Sequence, residues 1–118
     1  MIEFVLPWPP AECSPNARGH WAKRAKAAKA YRGRCWRETL AHRRKLVPAA
    51  RYVLHLEFVP PTRARFDDDN LVARFKSGRD GIADALDLDD TRFITRPVVS
   101  DTTGGFVRVR LVPAVQED

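Results

Sequence analysis

The sequence predicts an α+β fold: one small domain with the order β-α-β-α-β-β, in which helices pack on a mixed sheet. Three observations support this prediction. Segments 21–46 and 69–86 carry apolar residues at spacings of three and four, which is typical of helices. Segment 51–59 alternates apolar and polar residues, which is typical of a strand. The length of 118 residues suits a single domain spanning 1–118.

The first half of the chain is predicted to contain a strand, a turn-rich segment and a long helix. The strand is expected at 2–6, and "PWPPAECSPN" follows it with four prolines. The helix is expected over 21–46, ending before Pro48, because this segment has no proline and many Ala, Lys and Arg. Its apolar stripe is Trp21, Ala25, Ala28, Tyr31 and Cys35.

The second half is predicted to contain a strand, a second helix and two further strands. Tyr52, Leu54, Leu56 and Phe58 face one side of the strand at 51–59. The second helix should begin near Asp69 or Asn70, since both residue types cap helices. Its stripe is Leu71, Phe75, Gly78, Ile82 and Leu86. The two glycines of "SGRDG" also suit a turn. "RFITRPVV" and "GFVRVRLV" are the last strands, and "SDTTGG" is predicted to join them as a hairpin.

Several functional classes are disfavoured by composition. No run of about 18 apolar residues occurs, so no membrane span is expected. The N-terminal segment is too short and too proline-rich for a signal peptide, which favours a cytoplasmic protein. Cys13 and Cys35 are then expected to be free thiols. No phosphate-binding loop motif occurs, so no nucleotide cofactor is expected. His20, His42 and His55 share no close spacing that would suggest a histidine-based site.

The distribution of charge indicates a polyanionic partner. The formal net charge is +6, and segment 18–45 holds eleven Lys or Arg and one acidic residue. Segment 67–90 instead holds eight Asp. Clustered positive charge of this kind is typical of nucleic-acid binding, although a solvated basic helix is the ordinary alternative.

The acidic triplet at 67–69 is a candidate metal site. If the chain is extended here, Asp67 and Asp69 point the same way and Asp68 points away. Two carboxylates about 5 Å apart repel by about 3 kcal/mol at an effective dielectric of 20 and by less than about 1 kcal/mol in water. Magnesium would reverse that sign, since it prefers carboxylate and water oxygens. A solvated helix cap is an equally good interpretation of the spacing alone.

Lys76 is a candidate for contact with a phosphate. Asp69, Ala73, Lys76 and Asp80 are spaced four, three and four, so they share one face of the predicted helix. A lysine on that face can neutralise a carboxylate or stabilise negative charge developing on phosphate. Its alternative role is an ordinary ion pair with Asp80.

Taken in order, a set of short motifs resembles the RusA family of Holliday junction resolvases of bacteria and their phages. The resemblance covers most of the chain. Its pieces are "LPWPP" at 6–10, "SPN" at 14–16, "KAYR" at 29–32, "DDDNL" at 67–71 in the family's D-x-D-N-L form, "DG" at 80–81, "DD" at 89–90 and "GG" before the last strand.

The resemblance implies a small α+β homodimer that cuts four-way DNA junctions symmetrically in recombination and repair, using Mg²⁺ or Mn²⁺. It implies that Asp67, Asp69 and Asp90 are catalytic metal ligands, with Asp89 as the alternative to Asp90. A helix lysine is also needed. Ala73 occupies its place by direct counting, so Lys76 is the expected replacement and Arg74 the weaker one.

The leading hypothesis is therefore a metal-dependent, structure-selective endodeoxyribonuclease. Its DNA contacts are expected from basic residues on the first helix, the following loop and the second helix: Arg24, Lys29, Arg32, Arg63, Arg65 and Arg74. Two alternatives remain. In the first alternative, the chain would be a non-catalytic nucleic-acid-binding module that uses its basic helix. In the second, it would be an interaction protein whose acidic loop pairs with a basic helix of a partner subunit.

Overall fold

The computed structural model describes residues 1–115 and has the α+β architecture that the sequence predicts. The strands are β1 (Ile2–Pro7), β2 (Tyr52–Val59), β3 (Phe93–Val99) and β4 (Phe106–Pro113). The helices are α1 (Trp21–Leu40), α2 (Asp68–Arg74) and α3 (Lys76–Leu86). Short 3-10 turns lie at Ala11–Cys13, Arg43–Lys45 and Asp90–Arg92.

The four strands form one mixed sheet in the order β1-β4-β2-β3. β4 is antiparallel to both of its neighbours, and β2 and β3 are parallel. β1, β2 and β3 therefore run in the same direction. They end together at Pro7, Val59 and Val99, which we call the carboxyl edge of the sheet; the opposite side is the amino edge.

The predicted hairpin between the last two strands is wrong. β3 lies parallel to β2 on one side of it, and β4 pairs with the other side of β2. The connection from 100 to 105 passes around the end of β2. It is held there by hydrogen bonds from the Ser100 amide to the Phe58 carbonyl and from the Gly105 amide to the Val59 carbonyl. Gly105 has φ 85°, a conformation that glycine adopts without strain.

Both predicted helices differ in extent from the expectation. α1 ends at Leu40, and the predicted stretch to 46 becomes a 3-10 turn. The predicted helix at 69–86 is two helices that meet at Phe75. The junction stays hydrogen-bonded, since Phe75 donates to the Leu71 carbonyl at 2.9 Å and Arg79 donates to the Phe75 carbonyl at 3.0 Å. α2 begins at Asp68, one residue earlier than expected.

One face of the sheet packs against α1 and α3 and forms the core. The predicted inward residues of β2 are buried, and so is the whole predicted stripe of the second helical segment. α3 approaches α1 closely at two glycines. A Cβ at Gly78 would lie 2.7 Å from Tyr31 Cε2, and a Cβ at Gly81 would meet the Arg32 carbonyl oxygen.

The predicted stripe of α1 is buried only in its second half. Tyr31 and Cys35 are in the core, whereas Trp21 and Ala25 are exposed. The first turns of α1 therefore project past the core. Both cysteines are free thiols as expected, and Cys35 is the buried one. Burial, as the largest cause, raises the pKa of the Cys35 thiol to about 12.

The other face of the sheet, which we call the outer sheet face, has no helix packed on it in residues 1–115. Two adjacent rows cross it from β1 to β3. The first row is Val5, Arg108, Glu57 and Val98; the second is Glu3, Arg110, His55 and Arg96. No helix in the part of the chain that the structure describes combines the length and apolar character that crossing a membrane requires.

Candidate metal centre and nucleic-acid interface

The acidic triplet lies near the carboxyl edge of the sheet. The Phe66 ring packs edge-on against Trp8, with ring centroids 5.4 Å apart, and Trp8 packs against Phe58 at 6.2 Å. Trp8 directly follows β1, and Phe58 lies near the end of β2. These aromatic contacts fix the chain just before Asp67, which is the N-cap of α2.

The three carboxylates of the triplet converge. One oxygen from each of Asp67, Asp68 and Asp69 lies within 4.8 Å of the others, and all three residues are exposed. Asp67 has an extended backbone, as predicted, with φ −81° and ψ 130°. The expectation that Asp68 points away is wrong, because Asp68 is already the first residue of α2 and the two-residue alternation of a strand has ended.

Helix capping orients part of the triplet. The Asp69 amide donates to Asp67 Oδ1 at 3.0 Å and to Asp68 Oδ1 at 2.9 Å. These bonds satisfy one of the amides that every helix start leaves open. The second oxygen of each of these two carboxylates and both oxygens of Asp69 accept no hydrogen bond from residues 1–115.

The donor set fits a hard divalent cation. Carboxylate oxygens are the ligands that Mg²⁺ prefers, and an exposed site lets the ion keep several of its waters. Within residues 1–115, no lysine or arginine forms a salt bridge with Asp67, Asp68 or Asp69. No cationic side chain of residues 1–115 therefore offsets the repulsion among the three carboxylates, and a bound cation would relieve it.

Motifs that are distant in sequence meet around α2. The Ser14 hydroxyl lies 3.5 Å from Asn70 Oδ1, which joins the "SPN" and "DDDNL" segments. The Arg74 Nε donates to the carbonyl oxygens of Pro9 at 2.9 Å and Pro10 at 3.1 Å. Its guanidinium also lies over the Trp8 ring. Burial, as the largest cause, lowers the pKa of Arg74.

Tyr31 connects the "KAYR" segment to the same region. Its hydroxyl donates a 2.6 Å hydrogen bond to the carbonyl oxygen of Pro7, the last residue of β1. Burial, as the largest cause, raises the pKa of this phenol, so it remains a donor at neutral pH. The "LPWPP" segment is thus anchored from α1 by Tyr31 and from α2 by Arg74.

A groove of about 650 Å³ runs between the first turns of α1 and the α2–α3 junction. We call it the α1–α3 groove. Arg24, Lys29 and Arg32 line one side, and Arg74 and Lys76 line the other. Ala25, Ala28 and Ala73 give it an apolar floor. Four of the predicted DNA-binding residues and the predicted helix lysine therefore share one concave surface.

Lys76 is highly exposed and carries a weak ion pair. Its side chain is 78% exposed, and Nζ lies 3.8 Å from Asp80 Oδ2. Ala73, Lys76 and Asp80 all line the α1–α3 groove, whereas Asp69 does not. Asp69 lies on α2 and Lys76 on α3, so the single helix that the spacing predicts for them is two helices joined at Phe75.

Two further predicted arginines lie away from this groove. Arg63 and Arg65 line a second hollow of about 650 Å³ at the carboxyl edge, between the loop after β2 and the 100–105 connection.

Within the α1–α3 groove, Arg32 is paired with Asp84 at 2.7 Å, which raises the pKa of the guanidinium. Arg24 is nearly free, with a 3.5 Å contact to the Ser14 carbonyl.

Asp89 and Asp90 lie at the amino edge and are not part of the triplet. They directly precede β3, whose first residue pairs with Tyr52 at the start of β2. Asp89 caps the 3-10 turn by accepting from the Thr91 amide and hydroxyl, and these bonds lower its pKa. Asp90 is bound by Arg79 at 3.0 Å. A shared role with Asp67 and Asp69 therefore stays a prediction.

Trp21 and Arg79 were not predicted as site residues from the sequence. Trp21 is 73% exposed and lines the α1–α3 groove, although its spacing assigned it to the buried stripe. The His20 ring stacks on Trp21 with ring centroids 5.7 Å apart, and His20 caps α1 by accepting a hydrogen bond from the Ala22 amide.

Arg79 was missed because its partners, Asp90 and Thr95, lie 11 and 16 residues away in sequence.

Comparison with known proteins identifies a relative but no activity. No protein-family model matches the chain. A protein of Xylella fastidiosa (strain Temecula1), described as an uncharacterized protein, is 48% identical over 106 residues. The match covers 86% of this chain and 68% of the relative. The chain therefore belongs to the same protein family as this Xylella fastidiosa protein.

Proposed function

We propose that the protein is a metal-dependent, structure-selective endodeoxyribonuclease of the RusA type, which resolves four-way DNA junctions by paired nicks. The observation that carries the proposal is the convergence within 4.8 Å of three exposed carboxylates, none of which forms a salt bridge within residues 1–115. A cationic groove opens beside the same short helix. This combination provides both a cation site and a surface for the DNA backbone.

The α1–α3 groove supplies the backbone contacts in this proposal. Arg24 and Lys29 form no salt bridge within residues 1–115, so they are free to pair with phosphates. Arg32 retains Asp84 as a partner and contributes less net charge. Trp21 adds an exposed aromatic surface at the mouth of the groove, on which an unpaired base can stack.

In this proposal the reaction uses the triplet and one cationic side chain of the α1–α3 groove. Asp67 and Asp69 would hold the divalent ion, which would supply Lewis-acid stabilisation of the phosphate and activation of a water. Lys76 is the proposed cationic side chain that stabilises charge on the phosphate, since its pair with Asp80 is long and exposed. Arg74 is less suited to this role because the carbonyls of Pro9 and Pro10 occupy its Nε.

The resemblance would add Asp90 as a third ligand, but Asp90 lies at the amino edge and is bound to Arg79. The proposal therefore rests on Asp67 and Asp69. Two symmetric nicks need two sites related by a two-fold axis, so a homodimer is part of the proposal. The proposed setting is DNA recombination and repair in the cytoplasm of a bacterium, with the gene in the host or a prophage.

The decisive experiment is cleavage of a labelled synthetic four-way junction in Mg²⁺ and in EDTA. We expect symmetric nicks by the wild type in Mg²⁺ and none by Asp69→Asn, with junction binding retained. Asp87→Asn is the matched control: Asp87 is exposed, lies outside the triplet and has φ 55°, which asparagine tolerates. Equal cleavage by the wild type and Asp69→Asn would refute the proposal.

A second candidate function is a non-catalytic nucleic-acid-binding module. It is favoured by the hydrogen bonds from the Asp69 amide to Asp67 and Asp68, because helix capping alone accounts for these two carboxylates. This candidate predicts salt-sensitive junction binding with no nicks in Mg²⁺ or Mn²⁺. Loss of binding in Arg24→Ala and Lys29→Ala, without any cleavage by the wild type, would support it.

A further inference from the structure

Trp21, the first residue of α1, lies beyond the end of the core and is 73% exposed. The His20 ring stacks against it with ring centroids 5.7 Å apart and an interplanar angle of 28°. His20 is itself held as the N-cap of α1, because its Nδ1 accepts a 3.2 Å hydrogen bond from the Ala22 amide. The indole is therefore positioned from one side, while most of its surface stays in water.

The face of α1 that lines the α1–α3 groove alternates between apolar and basic side chains: Trp21, Arg24, Ala25, Ala28, Lys29 and Arg32. These positions are spaced three, one, three, one and three, so they lie along one side of the helix. With a rise of about 1.5 Å per residue, this side extends about 16 Å from Trp21 to Arg32. An extended ligand with both apolar and anionic groups can therefore lie along it.

This surface matches a nucleic-acid strand whose bases are unpaired. The flat face of a base stacks on an indole, and the phosphates beside it pair with lysine and arginine. In a duplex the base faces are stacked on one another inside the helix, so only phosphates and groove edges can reach a protein surface. The alanines at 25, 28 and 73 keep the floor of the groove free of long side chains, which leaves room for bases beside Trp21.

The charge of the groove fits the phosphates of such a strand. Five basic side chains line the groove against two acidic ones, and one of the acids, Asp80, lies 3.8 Å from Lys76. Arg24 and Lys29 lie on the same helix as Trp21 and form no salt bridge within residues 1–115. Positive charge without a partner in the described residues therefore lies next to the exposed indole.

We infer that the α1–α3 groove binds an unpaired strand of branched DNA, with one base stacked on Trp21 and the neighbouring phosphates held by Arg24 and Lys29. This rests on the proposed function, because it specifies which DNA the endonuclease selects: branches with unpaired nucleotides, such as flaps and gapped junctions, over fully paired four-way junctions. Ala73 lines the groove four residues after Asp69, about 6 Å along α2, so the bound strand lies close to the triplet.

A preference for single strands separates base stacking from simple electrostatic attraction. Duplex DNA carries the denser phosphate charge, so phosphate contacts alone favour binding of the duplex. Stacking on Trp21 favours the single strand instead, because only its bases are accessible. Loss of one stacked base should weaken binding about five- to hundredfold.

The first test measures fluorescence anisotropy in EDTA with a labelled oligo(dT) of about 16 nucleotides and a blunt duplex of the same length. We expect the wild type to bind the single strand at least about tenfold tighter than the duplex. Trp21→Ala should weaken single-strand binding at least about fivefold and leave duplex binding unchanged. Trp21→Phe keeps an aromatic ring and should stay within about threefold of the wild type.

Trp36→Ala is the matched control for this test. Trp36 is a second exposed tryptophan of α1, at 42%, and lies outside the α1–α3 groove, so its loss should leave single-strand binding unchanged. Thermal melts confirm that the variants are folded. A wild type that binds the duplex more tightly overturns the inference, and so does a Trp21→Ala variant that binds oligo(dT) as tightly as the wild type.

Tryptophan emission reports the contact with the base directly. We expect saturating oligo(dT) to quench the emission of the wild type and of Trp36→Ala, because a thymine stacked on Trp21 quenches the indole. Trp21→Phe should bind oligo(dT) without this quenching, since its ring replaces the reporting indole. Equal quenching in Trp21→Phe would mean that the base contacts Trp8 or Trp36 instead, which overturns the assignment to Trp21.

Branched probes in EDTA then separate this inference from the proposed cleavage. The wild type should bind a flap and a gapped junction at least about fivefold tighter than a fully paired four-way junction, and Trp21→Ala should bind all three alike. A wild type that nicks the paired junction in Mg²⁺ but binds all three probes alike overturns the inference and supports the proposed function. Preference for the unpaired probes without any nicks in Mg²⁺ or Mn²⁺ supports the binding inference and refutes the nuclease. Binding of oligo(rU) at least about tenfold tighter than oligo(dT) overturns the assignment to DNA.

Discussion

Arg79 holds Asp90 from two directions. Its Nη1 lies 3.0 Å from the Asp90 carboxylate, and its Nη2 donates a 2.9 Å hydrogen bond to the Asp90 carbonyl oxygen. The Nε donates to the Thr95 hydroxyl at 3.2 Å, and the guanidinium lies over the Phe93 ring. A single arginine on α3 therefore fixes the turn before β3 and the start of β3 itself.

Arg79→Ala should destabilise the fold. Hydrogen bonds to charged groups contribute about 1.5–3 kcal/mol when shielded, and the partial exposure of Asp90 reduces this. We expect the free energy of unfolding to fall by about 1–2 kcal/mol, measured by urea denaturation. Arg34→Ala is the control, since Arg34 forms an exposed pair with Glu38 within α1, and its loss should cost less than about 0.5 kcal/mol. Equal losses in the two variants would contradict the anchoring role.

Magnesium should raise the melting temperature of the protein without DNA. At ten times the dissociation constant, binding adds about 1.4 kcal/mol, which corresponds to a few degrees for a domain of this size. Asp67→Asn and Asp69→Asn should lose this shift, because each removes a ligand from the triplet. Thermal melts in Mg²⁺ and in EDTA measure the difference.

The same melts assign the role of Asp90. Its position at the amino edge, bound to Arg79, leads us to expect that Asp90→Asn keeps the Mg²⁺ shift. Its melting temperature in EDTA should fall, because the ion pair is lost. A lost shift in this variant would mean that Asp90 reaches the triplet in solution, as the resemblance implies.

Local periodicity predicted the parts of the fold in which burial alternates along the chain. Tyr52 to Phe58 alternate because β2 lies at the centre of the sheet with one face on the helices. The stripe from Leu71 to Leu86 was predicted correctly even across the break at Phe75, because the hydrogen bonding continues there. The triplet was predicted as a candidate site because Asp67, Asp68 and Asp69 carry like charges at three consecutive positions of the sequence.

Strand order, by contrast, was not predictable from these patterns. The alternation in β4 is satisfied equally well beside β3 or between β1 and β2, and a glycine-rich connection suits either path. Trp21 was misassigned because its spacing continues the stripe of α1, while the core ends one turn before Tyr31. The Arg79–Asp90 pair depends on where α3 ends relative to the sheet, which no local pattern encodes.

Gly81 should be the least replaceable residue of α3. A Cβ there would press directly on the Arg32 carbonyl oxygen and lie 3.1 Å from the Trp36 amide, so the backbones of α1 and α3 would have to separate. We expect Gly81→Ala to destabilise the fold by about 2 kcal/mol or more. The cost should appear as a lower denaturation midpoint in urea.

Gly33→Ala is the matched control for this prediction. Gly33 also lies within a helix, but a Cβ there would meet nothing within 4 Å. Alanine has the higher helix propensity, so this variant should gain up to about 1 kcal/mol. Destabilisation by both variants to the same degree would show that close packing of α3 on α1 is not the cause.

Stability should fall as the pH is lowered from 8 toward 5, and His42 should be one cause. Its ring stacks on Phe4 with centroids 5.0 Å apart, and its Nδ1 is buried without a hydrogen-bond partner in the described residues. Burial, then the charge of Lys45, lower the pKa of His42, and Glu38 partly opposes this. The charged imidazolium is therefore disfavoured in the folded state.

The sign follows from proton binding. The unfolded chain takes up a proton near pH 6.5, whereas the folded chain takes it up only at lower pH, so the unfolded state binds more protons between these two values. The contribution of neutral His42 to stability is complete above pH 6.5 and is lost as the pH falls through the pKa of the folded state.

His42→Phe keeps the stacking on Phe4 and removes the titration. Urea denaturation from pH 8 to 5 should give this variant a shallower decline than the wild type, with the remaining slope due partly to His55, whose pKa is also lowered. Identical slopes in the two proteins would exclude His42 as a cause.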